Sequence, residues 1–381
     1  MAGEAFIFVV ETTGASENFT IPCRNIGTYS ATVDWGDGGG TSSITAWNDS
    51  NLTHTYATAG TYTISITGTL PTIYFNNGGD KDKLRKVVQL GDVGWLSLEG
   101  SFHGCFSSGS YDSDYFSSGT CNTINVDSLS QAFKGWSSVT NPPNLSTLDT
   151  DSVTTMYEAF RDWSAMTTGP DFSGWNTSSL LTTYRACANW TSMVTPPNFA
   201  DWDTSNVTTM RVMCSNWNAM TTPPDFSLWN TSSCVDMFSF ALNWPAMAVL
   251  PDFSNFDMSG VADMRSMCRN WGVTIDETVG IQDWDISALT TADSFMLSSE
   301  MTTSTYNALL VNWEAQTPNS SVLAHFGSST YYDSGAPNTA HDSLTGTYGW
   351  TITDGGEISA PAGESINLSY YRNLTQTLLG A

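Results

Sequence analysis

The sequence predicts an α/β solenoid of 27-residue coils, a parallel sheet plus short helices, behind an all-β N-terminal sandwich. Three observations carry this. Tryptophan recurs at one constant interval: Trp136, Trp163, Trp190, Trp217, Trp244 and Trp271. A second aromatic series, Trp175, Trp202, Trp229 and Phe256, keeps the same spacing. Upstream, residues 5–70 alternate apolar and polar side chains between turns of Gly, Asn and Asp. A fixed period marks a structural repeat stacked on itself; alternation marks half-buried strands.

The chain of 381 residues divides by composition into a β-sandwich (1–75), a junction with first irregular coils (76–127), regular repeats (128–290), a capping module (291–355) and a tail (356–381). In the first segment, Phe6–Val10 and Tyr62–Ile66 read as strands. The turn Val33-Asp-Trp-Gly-Asp-Gly38 is followed by a strand signal from His54 to Ile64. Together these resemble the polycystic kidney disease (PKD) domain family, which implies an immunoglobulin-like sandwich acting as a spacer or binding module. Trp35, Tyr56 and Tyr62 supply its core aromatics. Asp34 and Asp37 stabilise the turn, with a bound calcium ion as the alternative.

Residues 76–83 are polar and turn-rich, and Lys81, Lys83, Arg85 and Lys86 cluster there. From Val87 the pattern becomes a strand leading into the first coil, and Phe106 already sits one full period before Phe133. Each regular coil splits in two. Over 206–214, Val207, Met210, Met213 and Cys214 lie at helical spacing, with Thr204 and Ser205 as N-caps. Over 224–229, alternation behind Pro224 predicts a short strand. One strand and one short helix per coil is the leucine-rich-repeat plan, with Met, Phe and Trp in place of Leu. Equivalent tryptophans then form a ladder of stacked rings.

The stretch Trp202-Asp-Thr-Ser-Asn-Val-Thr-Thr-Met210 resembles the BspA-type repeat of bacterial surface proteins. Residues 91–105 resemble that family's first coil, and 306–313 with 346–355 its closing module, so the likeness spans about 85–355. It implies a surface protein. A proline pair at the coil corner departs from the family pattern. Residues 301–316 predict a helix with Tyr306, Leu309, Leu310 and Trp313 on one face, capping the stack. The tail has a modestly amphipathic end, Tyr370 to Leu379.

No metalloprotease, P-loop, nucleophile-elbow or dinucleotide motif occurs, and His54, His103, His325 and His341 are isolated, so no enzyme is expected. Net charge is −25, which repels nucleic acid and anionic membranes. No apolar run reaches the roughly 18 residues of a membrane span. Cys187, Cys214 and Cys268 share a repeat phase with Phe133, Phe160 and Ala241, which reads as a buried slot of free thiols; a Cys187–Cys214 disulfide is the alternative.

The expected binding face is the strand row: Asn144, Asp171, Asn198, Asp225 and Asp252, with Ser146, Ser173, Ser227 and Ser254, forming an acidic stripe. The bland reading is a solvated face; the functional one is a shallow surface for glycan or protein, with bound calcium as an option and no other cofactor. The N-terminus lacks signal-peptide features. The expectation is therefore a virion surface component (fibre, tail or capsid decoration), or a bacterial adhesin whose export signal was removed, or a purely structural decoration protein. Its expected place is the virion surface or the cell exterior. Expected partners are other virion or surface proteins, a host glycan or protein receptor, and a second copy of the chain.

Overall fold

In the computed structural model, residues 3–108 and 111–361 are described. The amphipathic end of the tail, 370–379, lies outside them. The chain forms two compact units, Met1–Asp203 and Thr204–Ala381.

The first unit opens with seven strands: β1 (Phe6–Thr12), β2 (Glu17–Thr20), β3 (Ser30–Asp34), β4 (Thr41–Ile44), β5 (Thr53–Tyr56), β6 (Gly60–Thr69) and β7 (Leu84–Gln89). Five of them form one antiparallel sheet in the order β4-β3-β6-β1-β7, and β2 pairs antiparallel with β5. Alternation sets the buried face: Phe6, Phe8 and Val10 of β1 are buried opposite Ile66, Ile64 and Tyr62 of β6. The Phe8 ring meets Phe19 of β2 at 5.9 Å. Trp35 is fixed by its indole N–H donating to Ser42 Oγ (2.9 Å), and Tyr56 Oη donates to the Trp35 carbonyl (3.0 Å).

The repeats do not have the expected conformation. Among the described residues the α-helices are α1 (Thr303–Glu314) and α2 (Ala336–Gly346), and both follow the repeats. Named strands also stop at Gln89 and resume at Leu323. The α/β solenoid with a parallel sheet and a helix per coil, and with it the leucine-rich-repeat plan, is therefore overturned. The repeats are built from turns joined by isolated parallel bridges, such as Thr155↔Thr182 in the first unit and Thr209↔Asp236 in the second.

The physical reason lies in where the backbone N–H groups point. An α-helix needs each to reach the carbonyl four residues back. In the second unit the N–H groups of Met210, Val212, Cys214 and Asn216 instead donate to carbonyls of the following repeat, those of Asp236, Phe238, Phe240 and Leu242, at 2.7–3.1 Å. In the first unit Glu158, Phe160 and Asp162 do the same toward Tyr184, Ala186 and Ala188 at 2.9–3.0 Å. Two left-handed residues per repeat make this geometry: Glu158 (φ 53°) and Asp162 (φ 69°), Val212 (φ 60°) and Asn216 (φ 64°), Ser239 (φ 54°) and Asn243 (φ 61°). No right-handed helix survives a left-handed residue every four.

Val207, Met210, Met213 and Cys214 are nonetheless all fully buried. Spacing of three and four residues reports burial here, not helix. Thr204 is not an N-cap: it is buried, and its hydroxyl donates to the carbonyl of Asn230 at 2.8 Å. Thr150 and Thr177 bond likewise to Asn176 and Asp203 at 2.9 and 3.0 Å. The expected strand at 224–229 is a turn, closed by the Trp229 N–H donating to the Phe226 carbonyl at 3.0 Å.

Within each unit, side chains one repeat apart lie over one another. In the first, Trp136, Trp163 and Trp190 stack at 5.4 and 5.5 Å with interplanar angles of 5° and 7°. In the second, Trp217, Trp244 and Trp271 stack at 6.1 and 5.6 Å. Offset stacks occupy this distance range. Indole N–H groups of the column donate to carbonyls of the preceding repeat: Trp136 to Phe102 at 2.8 Å, Trp163 to Phe133 and Trp190 to Phe160 at 2.6 Å, Trp244 to Cys214 and Trp271 to Ala241 at 2.7 Å. Beside them, Trp175 stacks on Trp202 at 6.4 Å and Trp229 on Phe256 at 6.5 Å. All seven cysteines are free thiols, and burial pushes those of Cys187 and Cys268 well above the ordinary thiol range.

After the repeats, α1 buries Tyr306, Leu309, Leu310 and Trp313. Thr302 caps it, its hydroxyl accepting from the Thr305 N–H at 3.2 Å. Trp313 and Tyr306 close on Phe326 at 5.8 and 5.2 Å. Two short parallel pairs flank this core: β8 (Leu323–His325) with β10 (Thr351–Thr353), and β9 (Tyr331–Tyr332) with β11 (Glu357–Ile358).

Two outcomes are expected. Trp163→Ala removes a stacked ring and orphans the Phe133 carbonyl, costing about 4 kcal/mol in urea denaturation; a loss under about 1 kcal/mol refutes the column's structural weight. Val212 is β-branched in the left-handed region, a strain of about 1–3 kcal/mol. Val212→Asn should therefore raise stability by about 1 kcal/mol, whereas Ser239→Val should lower it.

Candidate binding surfaces

Two arcs of the repeat turns face solvent with chemistry to offer. The first is the acidic row. In the first unit Asn144, Asp171 and Asn198 are exposed, and Asp171 bridges Asn198 in register. In the second unit Asp225 and Asp252 are exposed. These residues do not stand on a sheet, as the strand reading required. Each side chain turns back on its own backbone: Asp171 accepts from the Ser173 N–H (3.0 Å), Asp225 from Ser227 (2.9 Å), Asp252 from Ser254 (2.9 Å), Asn144 from Ser146 (3.2 Å) and Asn198 from Ala200 (3.0 Å). They are Asx turns, which hold the corner of each repeat. Hydrogen bonds to Ser173 lower the Asp171 pKa, and those to Ser227 lower that of Asp225, so both stay charged.

The second arc has no motif in the sequence to announce it. It carries the left-handed positions, and in register it reads Ser130, Tyr157 and Tyr184 in the first unit and Arg211, Phe238 and Arg265 in the second. Tyr157 and Tyr184 stack at 5.2 Å and 11°, and the Arg185 guanidinium lies 5.1 Å from the Tyr184 ring centre. Beneath them sits Glu158, only 3% exposed. Its carboxylate accepts from Lys134 (2.5 Å), Gln131 (2.9 Å) and Arg161, with Arg185 at 3.5 Å. Burial raises its pKa, yet the hydrogen bonds from Lys134, Gln131 and Arg161 outweigh burial and bring it to about 2.

In the second unit Arg211 and Arg265 both lie over the Phe238 ring, at 3.9 and 5.1 Å. Arg265 holds Asp263 through two hydrogen bonds of 2.9 and 2.6 Å. The one sequence signal for this arc is concentration of charge: Lys134, Arg161 and Arg185, and in the second unit Arg211, Arg265 and Arg269, all fall on this turn segment of their repeats.

Elsewhere the polar groups are spent locally. Asp37 accepts from the Gly39 N–H (2.9 Å) and pairs with His54 (2.8 Å), whose ring stacks on Trp35 at 4.9 Å. Asp34 accepts from Gly36 at 2.9 Å. His341 lies 3.5 Å from Asp354, which also accepts from Tyr306 at 2.6 Å. Among the described residues no three His, Cys, Asp or Glu side chains are placed to hold a metal ion, and no helix is long and apolar enough to cross a membrane.

The family described as "Mycoplasma protein of unknown function, DUF285" matches residues 98–222 and again 185–313, more than half of the chain. The chain belongs to the DUF285 family. The matches cover the turn-built repeats of this BspA-like family and leave the N-terminal sheets outside. No curated protein and no solved structure matches it. The DUF285 segment therefore contains both solvent-facing arcs, the acidic corner row and the aromatic-cationic turn.

Glu158→Gln tests the charge balance of that turn. A carboxyl held below its ordinary 4.5 stabilises the fold fully above that value and loses the contribution as pH falls toward about 2. The variant should be about 3 kcal/mol less stable at pH 7. The gap from wild type should narrow below pH ~4.5. A gap that does not change between pH 7 and pH 3 would refute the assignment.

Proposed function

We propose that this DUF285 chain is a non-enzymatic exterior recognition protein, a surface component of a virion, whose repeats present a variable arc to a host glycan or protein. In this reading the N-terminal sheets are a PKD-like spacer joining the repeats to the particle. The observation that carries it is the contrast between positions of one repeat. The Trp position is unchanged from Trp136 to Trp271, whereas the arc position changes through Ser130, Tyr157, Tyr184, Arg211, Phe238 and Arg265. Side chains that differ over an unvarying frame, partly exposed and rich in Tyr, Phe and Arg, have the composition of binding hot spots.

The test is binding of the labelled full chain to host cell envelopes. Saturable binding is expected, with the Tyr184→Ser, Phe238→Ser double variant weaker by about tenfold, the size of one lost anchor. Envelope binding no greater than that of an unrelated protein of equal charge would refute the proposal.

A further inference from the structure

We infer that the Tyr157–Tyr184–Arg185 turn of the first unit is a subsite for a carboxylated sugar of an anionic polysaccharide; this rests on the recognition reading and names the ligand class for one of its surfaces.

Four features converge. First, charge. Lys134, Arg161 and Arg185 surround one buried carboxylate, Glu158, and Arg161 also touches Asp162 at 3.4 Å. Three cations against two carboxylates leave a positive excess on a chain of net charge −25. The junction cations differ: Lys83 is matched by Asp80 and Glu17 at 2.8 and 3.2 Å, and Arg85 by Glu11 at 2.6 Å. Second, an unspent donor fork. The Arg185 side chain is 38% exposed, and among the described residues its one ion-pair contact is the 3.5 Å approach of Nη1 to Glu158. A guanidinium so placed has Nε and Nη2 free for two parallel bonds to a carboxylate.

Third, a platform. The repeat register puts Ser130 one turn before Tyr157, with the Gln131 N–H donating to the Tyr157 carbonyl at 2.8 Å. Serine is too small to cover the ring, so the outer face of Tyr157, which is 38% exposed, stays open while Tyr184 covers the inner one. The C–H face of a pyranose packs on such a ring, and the ring itself is an anchor of the kind found at binding hot spots. Fourth, hydroxyls. Neither the Tyr157 nor the Tyr184 hydroxyl bonds to another described residue, which leaves two donor-acceptors at the rim for sugar hydroxyls.

Neighbouring residues of a polyuronate chain satisfy all four together: one packs its ring on the outer face of Tyr157, another along the same chain sets its carboxylate on the Arg185 fork beyond Tyr184, and their hydroxyls meet the tyrosine oxygens. A nucleic acid would bring the positive turn a phosphate chain, but the rest of a strongly acidic surface would repel that chain.

The experiment is calorimetric titration of the full chain with oligogalacturonate, with its carboxyl-reduced neutral counterpart, and with polyphosphate. Oligogalacturonate should bind and weaken with salt. Arg185→Gln and Tyr157→Ala should each lower affinity about tenfold. Tyr157→Phe, which keeps the platform, should lower it less. The melting temperature of each variant should stay within a few degrees of wild type, since both side chains are at the surface. The neutral sugar should bind at least tenfold more weakly. Absence of oligogalacturonate binding by the wild type overturns the inference, as does equal binding of the neutral sugar. Polyphosphate bound as tightly, with the same Arg185 dependence, overturns the sugar assignment in favour of bare charge capture. Envelope binding that persists when oligogalacturonate does not bind refutes this subsite alone; loss of envelope binding by the wild type refutes the recognition reading itself.

Discussion

Within each unit, the turn that leads to the tryptophan column depends on one constraint: alternate backbone N–H groups, such as those of Glu158, Phe160 and Asp162 in the first and Met210, Val212 and Cys214 in the second, must reach carbonyls of the following repeat. A buried backbone group left unpaired costs about 1–3 kcal/mol. Turn-built chain has no internal ladder to meet that cost, so the next copy must supply the acceptors. The left-handed residues exist to aim those groups. One of each pair is Asp162 or Asn189 in the first unit, and Asn216, Asn243 or Asn270 in the second, each immediately before the column tryptophan. Asp and Asn tolerate this conformation best after Gly, and Gly135 holds the same place before Trp136. Their amides add a second ladder: Asn189 donates to Asp162 at 2.6 Å, and Asn243 to Asn216 at 2.6 Å.

The same constraint explains which parts of the fold are legible in the sequence. Period is legible, because a stack repeats every contact at one spacing and the tryptophans display it. Burial is legible too: Val207, Met210, Met213 and Cys214 are inside. Conformation is not. Spacings of three and four residues are shared by a helix and by a chain that alternates inward residues through two left-handed corners. The distinguishing signal is the Asn, Asp or Gly before each Trp, a breaker that a helix would not keep at every repeat. The strands of the N-terminal sheets and α1 are easier, since there the partner groups lie within one element or in an adjacent strand and the local pattern determines them.

The sequence points to the wrong arc for a related reason. Asp171, Asp225 and Asp252 look like outward side chains of a strand. A carboxylate two residues before a free backbone N–H does something else first, which is to close the turn. Their charge remains exposed, but their geometry is fixed by the corner they make. The aromatic-cationic arc is hidden because its members belong to no motif. Tyr157 and Tyr184 become neighbours only when the chain has wound once, and Lys134, Arg161 and Arg185 meet Glu158 only through that winding.

Tryptophan is the residue that lets one frame carry different surfaces. A leucine column would fill space, yet would leave the carbonyls of Phe133, Phe160, Cys214 and Ala241 without the donors they now have. The indole fills the core and donates at once, so packing and backbone satisfaction are met by a single side chain that need not vary. The buried threonines repeat the device with a hydroxyl, as Thr177 does to Asp203 and Thr231 to Asp257. With interior and corners fixed by Trp, Thr and Asn, the turn that carries Tyr157, Tyr184 and Arg185 joins the repeats through its backbone, and of its charged side chains Glu158 is the buried one. That one buried carboxylate ties the surface cations to the frame, so the arc can change in sequence while its charge stays anchored.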